Sequence, residues 1–271
     1  MQDRAFSFLR TNRRPAKPRT RGVTEIRGPY YSVVGRHYLS DVLETAGDYV
    51  DILKFAGGSF SLLPETSLRE IIDLAHAHDV KVSTGGFLEH VLTQGPDAVD
   101  RYLQECRRVG FDIVEISTGF ITMPVDDILR LVGKVAEVGL LPKPEVGVQF
   151  GAGGTTTADE LAAEGIADPA RAIAVAKRCL DAGAYMIMIE SEGITESVRT
   201  PRTDIAQRIA AELGTEHVMF EAADPNVFEW YVKNYGPDVN LFVDHSQILQ
   251  LEGLREGLWG TKSLWGRVLT Y

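Results

Sequence analysis

The chain has 271 residues, of which 44% are hydrophobic and 24% charged, and its formal net charge at pH 7 is -10. This length accommodates one large (β/α)8 barrel without a second domain. The acidic balance disfavours nucleic acids and anionic membrane surfaces as partners, and no apolar run is long enough to cross a bilayer. Small molecules and other proteins are the partner classes that remain.

The N-terminal segment, residues 1–21, runs against the acidic balance because it carries seven basic residues and one acid, Asp3. This asymmetry is typical of an organelle transit peptide, or of an arm that packs on the barrel or on a neighbouring subunit. Pro15 and Pro18 would interrupt a long amphipathic helix, which favours the arm. We therefore divide the chain into a basic N-terminal arm, residues 1–21, and a barrel domain, residues 22–271.

From Gly22 onward, short β-rich runs alternate with segments of helical periodicity, the pattern of parallel strands joined by crossover helices. The predicted strands are Val23–Arg27, Tyr49–Phe55, Val80–Thr84, Ile113–Ser117, Glu145–Gln149, Met186–Glu190, His217–Glu221 and Asn240–Asp244. Eight such repeats predict a closed (β/α)8 TIM barrel of the α/β class. A doubly wound sheet would carry a glycine fingerprint after its first strand, and none follows Arg27.

Helix-start signals follow several of these strands. Ser67 and Glu70 have the spacing of a capping box, as do Thr157 and Glu160. Asp224-Pro225 places a cap residue before a proline at the first helical position. These signals predict helices that begin near each of the three sites.

The two cysteines, Cys106 and Cys179, fall inside helical segments and have neither paired nor metal-type spacing. This usage is expected in a reducing compartment, so we interpret both as core residues of a cytoplasmic protein. Near the C-terminus, Trp259 and Trp265 indicate either a subunit contact or a segment that closes the barrel. We expect the chain to form a homo-oligomer.

Active sites of (β/α)8 barrels lie at the carboxyl ends of the strands. The alternation along each strand directs a set of polar side chains inward at this end. They are Glu25, Arg27, Lys54, Glu115, Ser117, Glu145, Gln149, Glu190 and Glu221. Because five glutamates would repel one another in a low-dielectric mouth, positive charge has to accompany them.

Arg27 and Lys54 supply part of that charge, and Mg²⁺, which prefers oxygen ligands, is the predicted remainder. We expect the metal ligands to be Glu115, Glu145, Glu190 and Glu221. The alternative is that these acids form a ring of ordinary ion pairs and helix caps. Both interpretations stay open on the residues alone.

Anion-binding candidates follow other strands. The Gly85-Gly86 pair and the Gly151–Gly154 cluster could present free backbone N–H groups to a phosphate or carboxylate. After the eighth strand, Asp244 and Gln247 have capping-box spacing at the position where barrel enzymes often hold phosphate. His245 is therefore a candidate acid, base or anion contact. The predicted substrate-binding set is Glu25, Arg27, Gly85, Gly86, Ser117 and Ser246.

These segments, in their order and spacing, resemble the phosphosulfolactate synthase family from about Lys17 to Val268, most closely the branch that contains plant heat-stress-associated 32-kDa proteins. The segments that carry the resemblance are Lys17-Pro18-Arg19, Gly22–Glu25, Asp51–Phe55 with Gly58-Ser59, Gly85-Gly86, Val114–Ser117, Glu145–Gly147, Met219–Ala222, Val239–Glu252 and Leu254-Arg255. The resemblance implies a (β/α)8 barrel that adds sulfite to phosphoenolpyruvate with Mg²⁺, giving (2R)-phosphosulfolactate on the route to coenzyme M.

The chain departs from the family pattern at basic positions. After Glu145-Val146-Gly147 the family has two lysines, the second a proposed general acid, and here Val148 and Gln149 stand in their place. The family's arginine after the sixth strand is absent from Glu190-Ser191-Glu192-Gly193. Conversely, Glu25 and Arg27 occupy positions that are apolar in the synthases.

The resemblance therefore implies a Mg²⁺-dependent lyase or synthase that adds sulfite or a related nucleophile to phosphoenolpyruvate or a similar small carboxylate. Lys54, Gln149 and His245 are the residues expected at the reacting centre. The alternative is a non-catalytic barrel of the same family with a stress-related or partner-binding role, which the loss of the lysine at 149 favours.

Overall fold

Eight parallel strands close into a barrel in the computed structural model, which describes residues 4–29, 32–154, 156–258, 262, 264 and 266–271. The strands are β1 (Thr24–Arg27), β2 (Ile52–Lys54), β3 (Lys81–Ser83), β4 (Ile113–Ile116), β5 (Leu141–Val146), β6 (Ile187–Ile189), β7 (Val218–Glu221) and β8 (Asn240–Asp244). They pair in sequence order, and β1 pairs with β8 to complete the circle. The predicted (β/α)8 barrel is confirmed.

Helices surround the barrel on its outer side. They are α1 (Arg36–Ala46), α2 (Glu65–Ala77), α3 (Leu88–Leu92), α4 (Pro96–Val109), α5 (Val125–Glu137), α6 (Ala158–Ala163), α7 (Ala170–Asp181), α8 (Thr203–Leu213), α9 (Pro225–Tyr235) and α10 (Ile248–Arg255). Their apolar residues recur three and four positions apart and pack on the strands, as in α5, which buries Ile128, Leu131, Val132 and Val135. Cys106 and Cys179 are free and buried in this layer, which confirms their interpretation as core residues.

The predicted helix starts agree with the structure at two of three sites. The Thr157–Glu160 capping box begins α6, and Asp224 caps α9 with Pro225 in its first turn. The predicted start at Ser67 is wrong, because α2 begins at Glu65. Pro64, whose φ is -56°, already leads the chain into the helix, so Ser67 lies inside the first turn.

The strands separate two apolar layers. Outward residues such as Ile26, Leu53 and Val114 belong to the large core between strands and helices. Inward residues form a smaller core that fills the barrel; it comprises Val23, Ile52, Ile113, Met186, Met188, Met219 and Phe242. The polar inward residues lie in the layers above this smaller core, toward the carboxyl ends of the strands.

The fifth strand differs from its prediction, since it begins at Leu141 rather than Glu145 and ends at Val146 rather than Gln149. Pro142 and Pro144 gave this segment the appearance of a loop. The carbonyl of Pro142 nonetheless accepts a hydrogen bond from the Tyr185 N–H at 2.8 Å, a contact that needs no proline N–H. The earlier start places Lys143 on the strand and leaves Gln149 beyond it.

The arm covers the amino-terminal ends of the strands, a region that we call the closed end: residues 4–21, Asp51 and the acids of α10 with Glu256. Ion pairs join the arm to it, namely Arg4–Glu256 at 2.5 Å, Arg14–Glu252 at 2.8 Å and Arg19–Asp51 at 3.0 Å. Arg255, which is fully buried, donates to the carbonyls of Gly22 and Val239 and to the Thr24 hydroxyl. The arm thus packs on its own barrel.

Two further expectations concern the C-terminal tryptophans and membrane-spanning helices. Trp259 and Trp265 lie outside the described residues. In the described part of the chain, no helix has the length and apolar character needed to cross a membrane.

Candidate active site

A cavity of about 590 Å³, which we call the mouth, opens at the carboxyl ends of the strands. Eight of the predicted site residues line it: Arg27, Lys54, Gly86, Glu115, Ser117, Glu145, Glu190 and Glu221. They meet because every strand delivers its last inward residues to the same end of the barrel. Glu89, Glu192, Glu196 and Phe242 also line the mouth.

A chain of alternating charges rises from the barrel interior to the mouth. Lys143 Nζ lies 2.6 and 2.5 Å from the two carboxylate oxygens of Glu25, and 3.2 Å from Glu115 Oε2. Glu115 Oε1 lies 2.9 Å from Lys54 Nζ, which in turn is 3.7 Å from Glu145 Oε2. Because Glu25, Lys143 and Glu115 are fully buried, each charge depends on the next for compensation.

The pKa values of Lys54 and Glu115 are shifted in the directions that favour their charged forms. Burial lowers the pKa of Lys54, but the surrounding glutamates, led by Glu115 and Glu145, more than offset that effect and raise it. Burial likewise raises the pKa of Glu115, and Lys54 and Lys143 outweigh it, so the net direction is downward. Lys54 is therefore held as a cation and Glu115 as an anion.

The upper carboxylates are not compensated in this way. Burial and the charges of Glu115 and Glu221 raise the pKa of Glu145 to about 8, although Lys54 lowers it. Burial, then Glu221 and Glu145, raise the pKa of Glu190 well above its ordinary value. Burial also raises the pKa of Glu221 despite Lys54 and Arg27. The upper mouth thus holds more carboxylates than the nearby cations can stabilise.

The two cations of the mouth share one wall. Arg27 Nη2 donates to Glu221 Oε1 at 3.1 Å, and its guanidinium lies over the Phe242 ring, 5.2 Å from the centroid. Lys54 Nζ lies 4.5 Å from the same centroid. Phe242 therefore positions both cations, which present N–H donors to a ligand anion from the side of β1, β2 and β8.

Five predicted residues lie outside the lining of the mouth. Glu25 lies beneath it in the pair with Lys143. Gln149 turns away, because its amide donates to the carbonyls of Leu161 and Gly165. This position follows from the end of β5 at Val146, after which strand alternation no longer directs side chains inward.

The remaining three have structural contacts. His245 Nδ1 lies 3.0 Å from the Arg27 carbonyl, which can only accept, so this nitrogen carries the proton. Ser246 donates through its N–H and its hydroxyl to Asp244 Oδ1, within the predicted Asp244–Gln247 capping box. Gly85, with φ +62°, allows close packing, since a Cβ there would lie 2.6 Å from the Phe55 carbonyl oxygen.

Among the site residues that sequence reasoning missed, Lys143, Phe242 and Glu192 contribute most to the arrangement of charges. Lys143 was hidden between two prolines, although it lies two positions before Glu145 and so shares its face. Phe242 looked like an ordinary apolar strand residue. Glu192 lies beyond β6 in a loop, where no periodicity indicates its direction.

The carboxylate oxygens of the mouth are suitable ligands for Mg²⁺. The described residues include no group of three or more His, Cys, Asp or Glu side chains that could hold a metal ion by themselves. Mg²⁺ is commonly bound through one or two carboxylates together with substrate phosphates and water. A Cβ built on Gly153 would lie 3.1 Å from Glu190 Oε2 and 3.9 Å from Glu145 Oε1, so both carboxylates reach the same region. Glu115 and Glu221 are instead engaged by Lys54, Lys143 and Arg27.

Comparison with known proteins identifies the family. A family model described as (2R)-phospho-3-sulfolactate synthase (ComA) matches residues 12–261. The chain belongs to this family. It is 41% identical over 259 residues to Protein HEAT-STRESS-ASSOCIATED 32 of Arabidopsis thaliana, which covers 92% of this chain and 91% of that protein. It is also 28% identical over 263 residues to the phosphosulfolactate synthase of Methanothermobacter thermautotrophicus, covering 94% of this chain and 96% of the relative.

Among solved structures, the carboxyl transferase domain of Rhizobium etli pyruvate carboxylase is similar, with a TM-score of 0.59 and 13% sequence identity. The match covers 83% of this chain and 40% of that one, so this chain spans less than half of the pyruvate carboxylase structure. At this identity the likeness shows the barrel fold that this ComA-family chain shares.

Proposed function

We propose that the mouth binds a small anionic substrate such as phosphoenolpyruvate together with Mg²⁺, and adds sulfite or a related nucleophile to it. The observation that carries this proposal is the meeting of fixed cations and surplus carboxyl groups in one cavity. Arg27 and Lys54 offer the cations, while Glu145, 3.7 Å from Lys54, and Glu190 offer carboxyl groups whose pKa values stay raised. Two relatives beyond the 41% match, from Methanothermobacter thermautotrophicus and Bacillus subtilis, are named phosphosulfolactate synthases.

In this proposal the cationic wall binds and orients the anion. Lys54 is held by Glu115 and Arg27 by Glu221, so both cations are positioned before the ligand arrives. Glu145 and Glu190 would hold Mg²⁺, which when bound withdraws charge from carboxylate and phosphate oxygens. The protonated Lys54 donates hydrogen bonds to the same oxygens, and the aromatic face of Phe242 excludes water from beneath them.

Incubating the purified protein with phosphoenolpyruvate, sulfite and Mg²⁺, and following phosphosulfolactate by mass spectrometry, tests the reaction. We expect product from the unaltered protein and a loss of at least about 100-fold for Lys54→Met, since a charged hydrogen-bond donor at the reacting group is removed. Absence of product from the unaltered protein would eliminate this reaction. Substrate binding without product would retain the mouth as a binding site only.

The second candidate is a non-catalytic barrel of the ComA family with a stress-related or partner-binding role. It is favoured by Gln149, which stands at the position of the family's acid and whose amide is bound outside the mouth. The 41% relative carries the name HEAT-STRESS-ASSOCIATED 32 rather than that of a synthase. Calorimetry with Mg²⁺ and phosphoenolpyruvate separates the candidates, because the absence of any heat of binding favours the non-catalytic role.

A further inference from the structure

The loop between β5 and α6 holds a carboxylate of the protein itself. The backbone N–H groups of Gly153 and Gly154 donate to Glu192 Oε2 at 3.0 and 3.3 Å. Glu192 comes from the segment that follows β6; it is only 2% exposed and lines the mouth. The glycine cluster for which the sequence predicted a phosphate or carboxylate thus already binds one.

The surroundings of Glu192 are acidic rather than basic. Within the described residues, no lysine or arginine forms an ion pair with it. Its own N–H donates to Glu190 Oε1 at 2.8 Å, and Glu196 also lines the mouth. Since a buried carboxylate is costly without compensation, the two consecutive N–H groups of the loop are its main stabilising contacts. Such paired backbone donors form an anion-binding concavity.

The loop is braced so that these donors keep their direction. The Gly151 N–H donates to the Gly119 carbonyl at 2.7 Å, and a Cβ at Gly119 would lie 2.3 Å from the Ala152 carbonyl oxygen. Gly153 has φ +123°, which side chains other than glycine rarely adopt. The loop therefore presents a preorganised anion site next to Glu190, and Glu192 fills it.

We infer that Glu192 determines the substrate specificity of the mouth by occupying the anion site of the β5–α6 loop and keeping a phosphate from binding there. This inference rests on the proposed function, in which the mouth binds a small anion. A substrate anion is then confined to the wall of Arg27 and Lys54. The site accordingly prefers a small carboxylate whose anionic groups all reach Arg27 and Lys54. A substrate that needs a phosphate at the β5–α6 loop is disfavoured.

Inorganic phosphate, titrated without metal into the protein in a calorimeter, measures the occupancy directly. Glu192→Ala vacates the loop and removes one negative charge, and we expect it to bind phosphate at least about tenfold more tightly than the unaltered protein. Glu192→Gln keeps an acceptor oxygen at the N–H groups, so its gain should be smaller than that of Glu192→Ala.

Glu196→Ala is the matched control. Glu196 carries the same charge and lines the same mouth, but it accepts from the Ser191 hydroxyl and not from the loop. Equal gains for Glu192→Ala and Glu196→Ala would show a general charge effect and overturn the inference. So would a Glu192→Ala protein that binds phosphate no more tightly than the unaltered one.

Folding is checked by thermal unfolding of each variant, with Glu192→Ser as a second way to vacate the loop. If both variants lose cooperative unfolding, Glu192 serves the fold rather than selectivity, and the inference is wrong. The outcome is separate from that of the proposed reaction. Phosphate binding by the variants is measured without sulfite, phosphoenolpyruvate or Mg²⁺, so absence of turnover leaves this comparison intact.

Discussion

The two ends of the barrel use the same residue types in opposite ways. At the closed end each buried acid meets a basic partner; the pairs are Arg4–Glu256, Arg14–Glu252 and Arg19–Asp51. At the mouth Glu145, Glu190 and Glu221 share Lys54 and Arg27, and the pKa of each carboxyl is raised. Removing one partner of a buried ion pair is strongly destabilising, whereas strongly shifted pKa values cluster at functional sites.

This contrast separates stability from function along the barrel axis. At the closed end Glu256, Glu252 and Asp51 each have an arginine partner already, so we expect a ligand to add little stability there. The surplus carboxylates of the mouth lower the free energy of unfolding of the protein. A cation that binds there raises it again. Substitutions at the two ends should therefore change the free energy of unfolding by different amounts.

The largest effect on the free energy of unfolding is expected at Lys143, which forms buried ion pairs with Glu25 and Glu115 below the mouth. Lys143→Met leaves Glu25 buried without its cation and leaves Glu115 with Lys54 in place of two lysines, and we expect the free energy of unfolding to fall by about 4 kcal/mol. Urea denaturation measures it. The double variant Glu25→Gln with Lys143→Met removes both charges of the closest pair and should recover most of the loss. A single variant that costs less than about 1 kcal/mol would contradict the alternating chain of charges.

At the closed end, Glu252→Gln should lower the free energy of unfolding by about 3 kcal/mol. Arg14, with 6% of its side chain exposed, would then keep Asp238, at 3.9 Å, in place of Glu252 at 2.8 Å, beside the buried Arg255. Urea denaturation at pH 7 checks this value. A cost near zero would show that the arm contributes little to stability.

The mouth should reveal itself by its dependence on pH. The pKa of Glu145 in the folded protein is about 8, above its ordinary value, so the folded state binds this proton more tightly than the unfolded state. The corresponding stability is complete below about pH 4.5 and is lost as the pH rises toward 8. Relative to Glu145→Gln, the unaltered protein should lose on the order of 2 kcal/mol between pH 5 and pH 8 in metal-free buffer.

Parallel urea denaturation series of the two proteins measure this difference, and the subtraction removes titrations elsewhere in the chain. A difference that grows in the opposite direction would mean that Glu145 is held as an anion by its neighbours. The excess of carboxylates in the upper mouth would then be refuted.

The smallest effect is expected for Glu190→Gln, which makes the same chemical change as Glu252→Gln at the other end. Because the pKa of Glu190 is raised well above its ordinary value, the neutral amide resembles the protonated acid already favoured there. We expect the free energy of unfolding at pH 7 to stay within about 1 kcal/mol of the unaltered protein. Equal losses for the two variants would erase the distinction between the ends.

The fold was predictable because the alternation of strand and helix periodicity repeats eight times. An error of a few residues at the ends of a predicted strand does not change the predicted fold. The exception, β5, shows the limit of local reasoning. Pro142 and Pro144 argue against a strand, but the closed barrel requires one there and uses only the groups that the prolines still have. Tertiary context therefore overrode local propensity.

The site was predictable where it depends on strand alternation, which placed Arg27, Lys54 and the strand-end glutamates in one cavity. It was not predictable where the partner comes from another strand or a loop. The pairing of Lys143 with Glu25 crosses the barrel, and the capture of Glu192 by Gly153 depends on the path of two loops. Contacts between residues that are far apart in the sequence form only when the barrel closes, so local sequence patterns do not reveal them.

Thermal unfolding with and without Mg²⁺ plus phosphoenolpyruvate tests the central claim most directly, because the mouth holds carboxyl groups whose pKa values its cations leave raised. The unaltered protein should gain several degrees in its Tm when both ligands are present. The double variant Glu145→Gln with Glu190→Gln should gain none, while Glu252→Gln should show the full gain on its lower baseline. An unchanged Tm in the unaltered protein, or an equal gain in the double variant, would contradict the account.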